Sequence, residues 1–303
     1  MSTEAVYAVV VTFEPDLQHL LQLLTACLPQ VKGLVVIDNG SDAAIQTHLQ
    51  HHGQRYHFDV IALDENMGVA TAQNKGAEWV RERGGSHLLF FDQDSVPSPT
   101  MVACLLHALE QATHAGLSVA AVGPTLVDRR TSKKTPFVQF GMFGVTRHFK
   151  KASDDRLMVE ADFLVSSGML ISLETLGQVG PLEDGLFIDN VDLEWCFRAR
   201  SKGMSVFGVY DAFMEHSVGD EVIEIGARVI HLHSPVRQYY IMRNRILLYR
   251  RAYSPWRWIV QDFVRMLFKL TAFSVVLRPR RQNFVMMLKG IKDGLAGKQG
   301  KLH

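Results

Sequence analysis

A chain of 303 residues with 47% apolar content, 21% charged content and a net charge of +1 has the composition of an ordinary globular protein, long enough for one large α/β core and an appended region. Its three cysteines, Cys27, Cys104 and Cys196, lie far apart and form no CxxC pair, which argues against a disulfide framework or a cysteine zinc site and fits a reducing, cytosolic setting. No uncharged apolar run reaches the roughly 20 residues of a membrane span; the longest near the C-terminus, residues 270–277, is closed by Lys269 and Arg278.

In chain order, MSTEAVYAVVVTF carries no basic stretch ahead of its apolar run, so it predicts a first strand and no signal peptide. Continuous apolar segments at GLVVIDNGS, FDVIALDEN, HLLFFDQDS and SVAAVGPTLVD predict further strands buried on both faces. Between them, residues 17–28, a stretch from Ala43, residues 68–83 and residues 101–114 read as helices. This βα alternation predicts an α/β fold with a Rossmann-like, mostly parallel sheet flanked by helices. In such sheets ligands bind beyond the carboxyl ends of the strands. Polar groups recur there: Thr12–Phe13–Glu14, Asp38–Asn39–Gly40, Asp64–Glu65–Asn66 and Asp92–Gln93–Asp94. One crevice accounts for all four. Residues 125–160, rich in charge and small side chains, read as a loop or short hairpin of the kind that serves as a flap.

Two carboxylates one residue apart at the end of an apolar strand, Asp92 and Asp94, repel each other unless a cation joins them, and oxygen ligands suit Mg²⁺ or Mn²⁺. The plainer alternative is that Asp92 caps a turn and Asp94 is solvated. A second acidic cluster, Asp184, Asp189, Asp192 and Glu194, precedes Arg198 and Arg200. Asp192 falls on the first turn of a helix, where the dipole stabilises an anion and a carboxylate can act as a general base. Glu194 and Arg198 form a structural i,i+4 pair on that helix. His216 follows another short apolar run and is a candidate ligand or simply a satisfied polar residue.

The ordered blocks VVVTFEP, VVIDNGS, ENMGVATAQNKG, FFDQDS, FLVSSGMLIS, FIDNVDLEWCFRARSKG and MEHSVG resemble family 2 glycosyltransferases of the GT-A fold, over about residues 6–250. Within them they resemble the bacterial rhamnosyltransferases of lipopolysaccharide, O-antigen and rhamnolipid synthesis. The resemblance implies a catalytic domain over residues 1–235, with a nucleotide-binding part at 1–124 and an acceptor part at 125–235, and a helical, basic C-terminal extension at 236–303. Carried over, Thr12, Phe13 and Glu14 line the nucleotide pocket and Asp38 contacts the base. Asn66, Gly68 and Asn74 lie under ribose and phosphates, though small residues packing a helix on the sheet explain the same stretch. Asp92, with Gln93 beside it, faces the ribose, Asp94 is the main metal ligand and His216 a further one. Ser166, Ser167 and Gly168 sit under the transferred sugar, and Asp192 is the base. Relatives often carry two adjacent acids at the base position, whereas Val191 precedes Asp192 here, which leaves Asp189 as its rival.

The implied reaction is metal-dependent, inverting transfer of L-rhamnose from dTDP-β-L-rhamnose to a saccharide or a polyprenyl-diphosphate or other lipid-linked acceptor. Another nucleotide sugar, such as a UDP-hexose or UDP-galactofuranose, or a non-catalytic sugar-nucleotide-binding role, is the alternative. A dinucleotide oxidoreductase is disfavoured, since TFEPD stands where GxGxxG would follow the first strand.

Charge divides the chain unevenly. From Arg228 onward there are 16 lysines and arginines against two acids, Asp262 and Asp293, while residues 1–227 hold 16 basic and 29 acidic residues. Such a tail calls for an anionic partner, and no nucleic-acid motif is present. Its Arg, aromatic and aliphatic residues at helical spacing predict an interfacial amphipathic helix at the inner face of a bacterial cytoplasmic membrane. Asp262, Arg265 and Lys269 would form its polar side, and Trp256 and Trp258 would lie at the interface. Packing on the catalytic body or on another subunit is the alternative. Arg243, Arg245, Arg250 and Arg251 are candidates for gripping an acceptor diphosphate.

Overall fold

The computed structural model describes residues 6–142, 144–150, 155–216, 221–225, 228–232, 234–275 and 279–302. The signal-peptide reading of residues 1–5, the end of the block after His216, and Arg278 therefore lie outside the described residues. The first half follows the predicted alternation: β1 (Val6–Thr12), α1 (Leu17–Cys27), β2 (Gly33–Asp38), α2 (Ala43–Tyr56), β3 (Asp59–Ala62), α3 (Val69–Glu82), β4 (His87–Asp92), β5 (Val96–Pro97), α4 (Met101–His114) and β6 (Val119–Asp128). Every residue of β1 is buried, as a strand covered on both faces requires. Its side chains alternate between two cores, Val9 and Val11 with Val35 and Ile37 on one side, Ala8 and Val10 with Leu34 and Val36 on the other. Each such side chain contributes about 1.5–3 kcal/mol on burial. Helix α1 begins where the Asp16 carboxylate accepts the amides of Gln18 and His19, and it buries Leu20, Leu23, Leu24 and Cys27 at helical spacing. Helix α3 lies so close to the sheet that a Cβ at Gly76 would stand 2.1 Å from Val9 Cγ1.

The second half adds β7 (Phe137–Phe140), β8 (Val145–His148), β9 (Met158–Ala161), β10 (Leu170–Ser172), α5 (Leu173–Val179), α6 (Val191–Ser201) and β11 (Ser205–His216). The main sheet runs β3-β2-β1-β4-β10-β6-β11-β5, with β9 also on β11. Strands β3, β2, β1 and β4 are parallel, and so are β6 and β11; β10 enters antiparallel between β4 and β6. Register shifts after Val209 let the first part of β11 pair with β9 and its end pair with β5. Thr12, Asp38, Asp92 and His216 thus come to the carboxyl ends of their strands. The charged stretch before β9 is partly a hairpin, β7 with β8.

A hairpin of β12 (Glu221–Ile225) and β13 (Arg228–Leu232) leads to α7 (Pro235–Tyr249), α8 (Trp256–Val275) and α9 (Arg280–Leu295). Packing does not break at residue 235, because Leu247, Leu248 and Trp258 join the main core, while Met242, Ile246, Met266, Phe273 and Met287 form a core of their own. The four arginines that were candidates for an acceptor diphosphate are structural: Arg243 is 1% exposed and donates to the carbonyls of Leu186 and Gly300, Arg245 pairs with Asp262 at 3.2 Å, Arg250 donates to Leu295 O at 2.9 Å, and Arg251 pairs with Glu183. Trp258 is buried against Phe197 and Tyr249, so only Trp256 faces outward. Asp262 is likewise turned inward. No helix among the described residues is long and apolar enough to cross a membrane.

Candidate active site

At the carboxyl edge of the sheet lies a crevice of about 610 Å³, lined from β1, β2, β4, β11, α6, α7 and their loops. That volume suits a bound small molecule of nucleotide-sugar size. One wall carries Thr12, Phe13, Asn39, Asn66 and Gly68, Asp92, Gln93, Asp94 and His216 lie together beside it, and Ser166, Asp189, Asn190, Asp192 and Arg237 complete the lining. Phe13 is 45% exposed, and its amide donates to Gln93 Oε1 at 2.8 Å, which ties the end of β1 to the D-x-D turn. Asn39 and Asn66 join the two neighbouring strand ends at 3.2 Å, and Asn66 Oδ1 also accepts the Gly68 amide.

Asp92, Asp94 and His216 bring one ligand atom each to within 4.8 Å of the others. Two hard carboxylates and one borderline imidazole form an oxygen-rich donor set compatible with Mn²⁺ or Mg²⁺. Burial pushes the Asp92 carboxyl above its ordinary range; the charge of Asp94 adds to this, and His216 and Arg237 oppose it. A divalent cation would relieve that repulsion. A buried relay steadies the cluster: the Asp92 amide donates to Ser167 Oγ at 3.0 Å, Ser167 and Ser95 hydroxyls meet at 2.8 Å, and Ser95 Oγ is 2.9 Å from His216 Nδ1. His216 Nδ1 is also 3.6 Å from Asp94 Oδ1.

Across the crevice, Asp192 stands on the first turn of α6. Its carboxylate accepts the amides of Leu193 at 2.8 Å and Ser166 at 3.3 Å. The helix dipole alone would leave it a fully formed anion. Burial outweighs those amides and pushes its pKa to about 6, with Asp92 and Asp189 adding like charge. Asp189 is instead paired with Arg237 Nε at 3.2 Å. The loop before α6 is strained: Phe187, Asp189 and Asn190 have φ of 65°, 64° and 62°. Helix α7 holds it, since Asn244 Nδ2 donates to the carbonyls of Leu186, Ile188 and Asp189 at 2.9, 2.7 and 2.9 Å, and Arg243 caps Leu186 O as well. Asn190 Nδ2 is buried with no hydrogen-bond partner among the described residues.

Some expected site residues lie elsewhere. Asp38 is wholly buried beneath the crevice, accepting from the Thr12 and Ser41 hydroxyls at 2.9 and 2.6 Å, so it braces the wall rather than facing a base. Asn74 reaches back to the amide and carbonyl of Leu182. Glu14 points outward to the Asp42 amide at 2.9 Å. Ser167 and Gly168 lie behind the crevice, Gly168 with φ 80° against Pro124. Gly68, with φ 89°, allows a close approach, but to the Phe187 backbone: a Cβ there would meet Phe187 O at 2.6 Å. The sequence reading missed Ser95, Asn190 and Arg237 as site residues. A serine beside D-x-D was a readable signal, whereas Arg237 looked like any basic residue of the tail.

The family model for glycosyl transferase family 2 matches residues 7–179, which covers β1 to β4 and the D-x-D turn. The dTDP-rhamnosyl transferase RfbF of Shigella flexneri is 31% identical over 295 residues, covering 97% of this chain and 96% of that protein. Among solved structures, S. aureus TarS 1-349 in complex with UDP-GlcNAc superposes with a TM-score of 0.59 at 13% identity, over 97% of this chain and 81% of that one. GalNAc-T7 with UDP, GalNAc and Mn²⁺ gives a TM-score of 0.61 at 12% identity over 96% of this chain, which spans only 56% of that longer one. At such identity these two speak for the fold, which is GT-A-like. With more than half of the residues inside the family match and nearly all of them aligned to one relative, the chain belongs to glycosyl transferase family 2.

Proposed function

We propose that this protein is an inverting rhamnosyltransferase that moves L-rhamnose from dTDP-β-L-rhamnose to a hydroxyl of a saccharide or lipid-linked acceptor, at the inner face of the bacterial cytoplasmic membrane. The observation that carries the chemistry is a single crevice with Asp92, Asp94 and His216 on one side and the protonatable carboxylate of Asp192 on the other. The donor assignment draws on the relative named for dTDP-rhamnosyl transfer, aligned over 97% of the chain. Thr12, Phe13, Asn39 and Asn66 take the nucleoside. Arg237 offers the only lysine or arginine charge on the crevice wall among the described residues, and faces the diphosphate. The orphan Asn190 amide has a sugar hydroxyl to donate to.

Asp92, Asp94 and His216 would hold Mg²⁺ or Mn²⁺, which when bound supplies Lewis-acid relief of the charge that grows on the leaving diphosphate. The acceptor oxygen forms its bond to the anomeric carbon as the bond from that carbon to the β-phosphate oxygen breaks, and dTDP leaves. The acceptor proton passes to Asp192, whose carboxylate the Ser166 and Leu193 amides keep aimed across the crevice. Attack from the face opposite the leaving group inverts the centre to an α-L-rhamnoside. The logic parallels that of inverting glycosidases, in which a carboxylate activates the attacking oxygen.

Nucleotide release from a panel of dTDP- and UDP-sugars, with Mg²⁺ or Mn²⁺ and then with chelator, tests the reading on wild type and Asp94→Ala. Metal-dependent release from dTDP-rhamnose that Asp94→Ala abolishes is the expected result. Release from a UDP-sugar instead would overturn the rhamnosyl donor, and an absence of nucleotide binding by calorimetry would end the transferase reading.

A further inference from the structure

Helix α8 is apolar on its outer side as well as on the side that buries Trp258, Met266 and Phe273. Its polar Asp262 is 4% exposed and Lys269 is half-buried, whereas Trp256, Val260, Phe263, Val264, Leu267 and Phe268 all face outward, with Trp256, Val264 and Phe268 at 60%, 62% and 63% exposure. These six positions recur at i, i+4, i+7, i+8, i+11 and i+12 and form one stripe. Helix α9, packed on α8 through Met266 and Met287, adds exposed Phe284, Val285 and Leu288. Soluble monomers rarely leave so large an apolar patch uncovered without a partner for it.

The charges identify the partner. Arg257 and Arg265 on α8, and Arg280, Arg281, Lys289 and Lys292 on α9, are exposed. The two acids beyond residue 233 are both consumed inside the protein: Asp262 by Arg245 and the Tyr249 hydroxyl, and Asp293 by Lys298 at 2.9 Å and the Tyr239 hydroxyl at 3.0 Å. The outer surface of α8 and α9 is therefore apolar and cationic, with no exposed acid. A second copy packed about a two-fold axis would oppose this face to its own like charges. An anionic bilayer meets both demands, acyl boundary for the stripe and headgroups for the cations, with Trp256 suited to the boundary between them.

We infer that the α8–α9 face docks the protein on anionic membrane surface, keeping Trp256 and Arg265 from the set that helical spacing marked out but not the inward-turned Asp262 and Trp258. The hairpin of β7 and β8 lies beside it, since Gln261 of α8 donates to Gly141 O at 2.8 Å, and exposed Met142 follows at the hairpin tip. Docking thus brings the acceptor half of the protein to the bilayer. The inference agrees with a lipid-linked acceptor but does not depend on the identity of the donor.

Sedimentation of the full chain with phosphatidylcholine vesicles, with and without phosphatidylglycerol, tests it without any turnover. Wild type is expected to pellet with the anionic vesicles and not with the neutral ones. The variants Phe263→Ser/Val264→Ser/Phe268→Ser and Arg257→Glu/Arg265→Glu are expected to bind roughly tenfold or more weakly. All carry exposed substitutions, so melting temperatures and donor hydrolysis should match wild type. Wild type left in the supernatant with anionic vesicles, or either variant binding as wild type does, overturns the inference. So does a wild-type dimer in size-exclusion chromatography that the apolar variant turns into a monomer, because the face would then belong to a second copy.

Discussion

The Arg237 guanidinium spans both oxygens of Asp189, its Nε 3.2 Å from Oδ2, while Asp192, three residues on, accepts the amides of Leu193 and Ser166. The Asp189 carboxylate is already committed to a cation, whereas that of Asp192 accepts only neutral amides among the described residues. The two acids that sequence left as rivals are separated by that contact, and the balance supports Asp192.

Replacing Asp192 by Asn is therefore expected to lower kcat by about 10²- to 10⁴-fold. Asp189→Asn should cost much less in kcat. In wild type the carboxyl of Asp192 is protonated below about 6, so the rate should fall as pH drops through that value. A pH–rate profile checks this; a flat acid limb would remove Asp192 from the base role. The sign for stability is opposite. The raised pKa in the folded state means the proton is held more firmly there, so this group adds stability below the ordinary carboxylate range and loses it as pH rises through about 6.

Ser95 acts on the metal cluster through His216. Ser95→Ala removes the hydroxyl 2.9 Å from Nδ1 and leaves Ser167 without that neighbour. Partners of this kind commonly tune metal affinity by about 10- to 100-fold. Titration of activity against Mn²⁺ should show the midpoint moved upward, with the rate at saturating metal largely retained.

Arg237 should serve donor binding. A hydrogen bond to a charged group contributes about 1.5–3 kcal/mol, so Arg237→Gln is expected to raise the donor KM by roughly tenfold to a hundredfold, with a smaller change in kcat. Steady-state kinetics separate the two. An unchanged KM would leave Arg237 as a structural partner of Asp189.

Asn244 offers the contrasting case. Its amide holds three carbonyls of the strained loop 186–190, and burial leaves no water to replace it. Asn244→Leu is expected to destabilise the fold by about 1–3 kcal/mol. It should also lower kcat and raise the donor KM, because the loop presents Asp189, which holds Arg237, and Asn190, and leads into Asp192. Thermal melting together with kinetics checks both effects.

Much of the fold was legible. The apolar runs around β1, β2 and β4 could only be strands covered on both faces, and the polar residues at their ends fell where a parallel sheet opens its crevice. Strand β10 was not legible, because its place between β4 and β6 depends on pairing across some 50 to 80 residues. Nor was the inward turn of Asp38 and Asn74, since the same residue types serve equally as ligands or as braces, and only their neighbours decide.

What the sequence by itself determined was the βα order, the acidic strand end at Asp92 and Asp94, the helix start bearing Asp192 and the separation of an acidic body from a basic tail. Each of these is a local property, set by side-chain period, capping and charge. The tertiary structure alone decided that Asp189 goes to Arg237, that Arg243 and Asn244 clamp the loop before α6, and that α8 hides Asp262 and exposes its apolar stripe. An amphipathic pattern says that two faces differ, but which face turns inward depends on what already lies there: Asp262 meets Arg245 and Tyr249, while Val264 and Phe268 stay more than 60% exposed among the described residues.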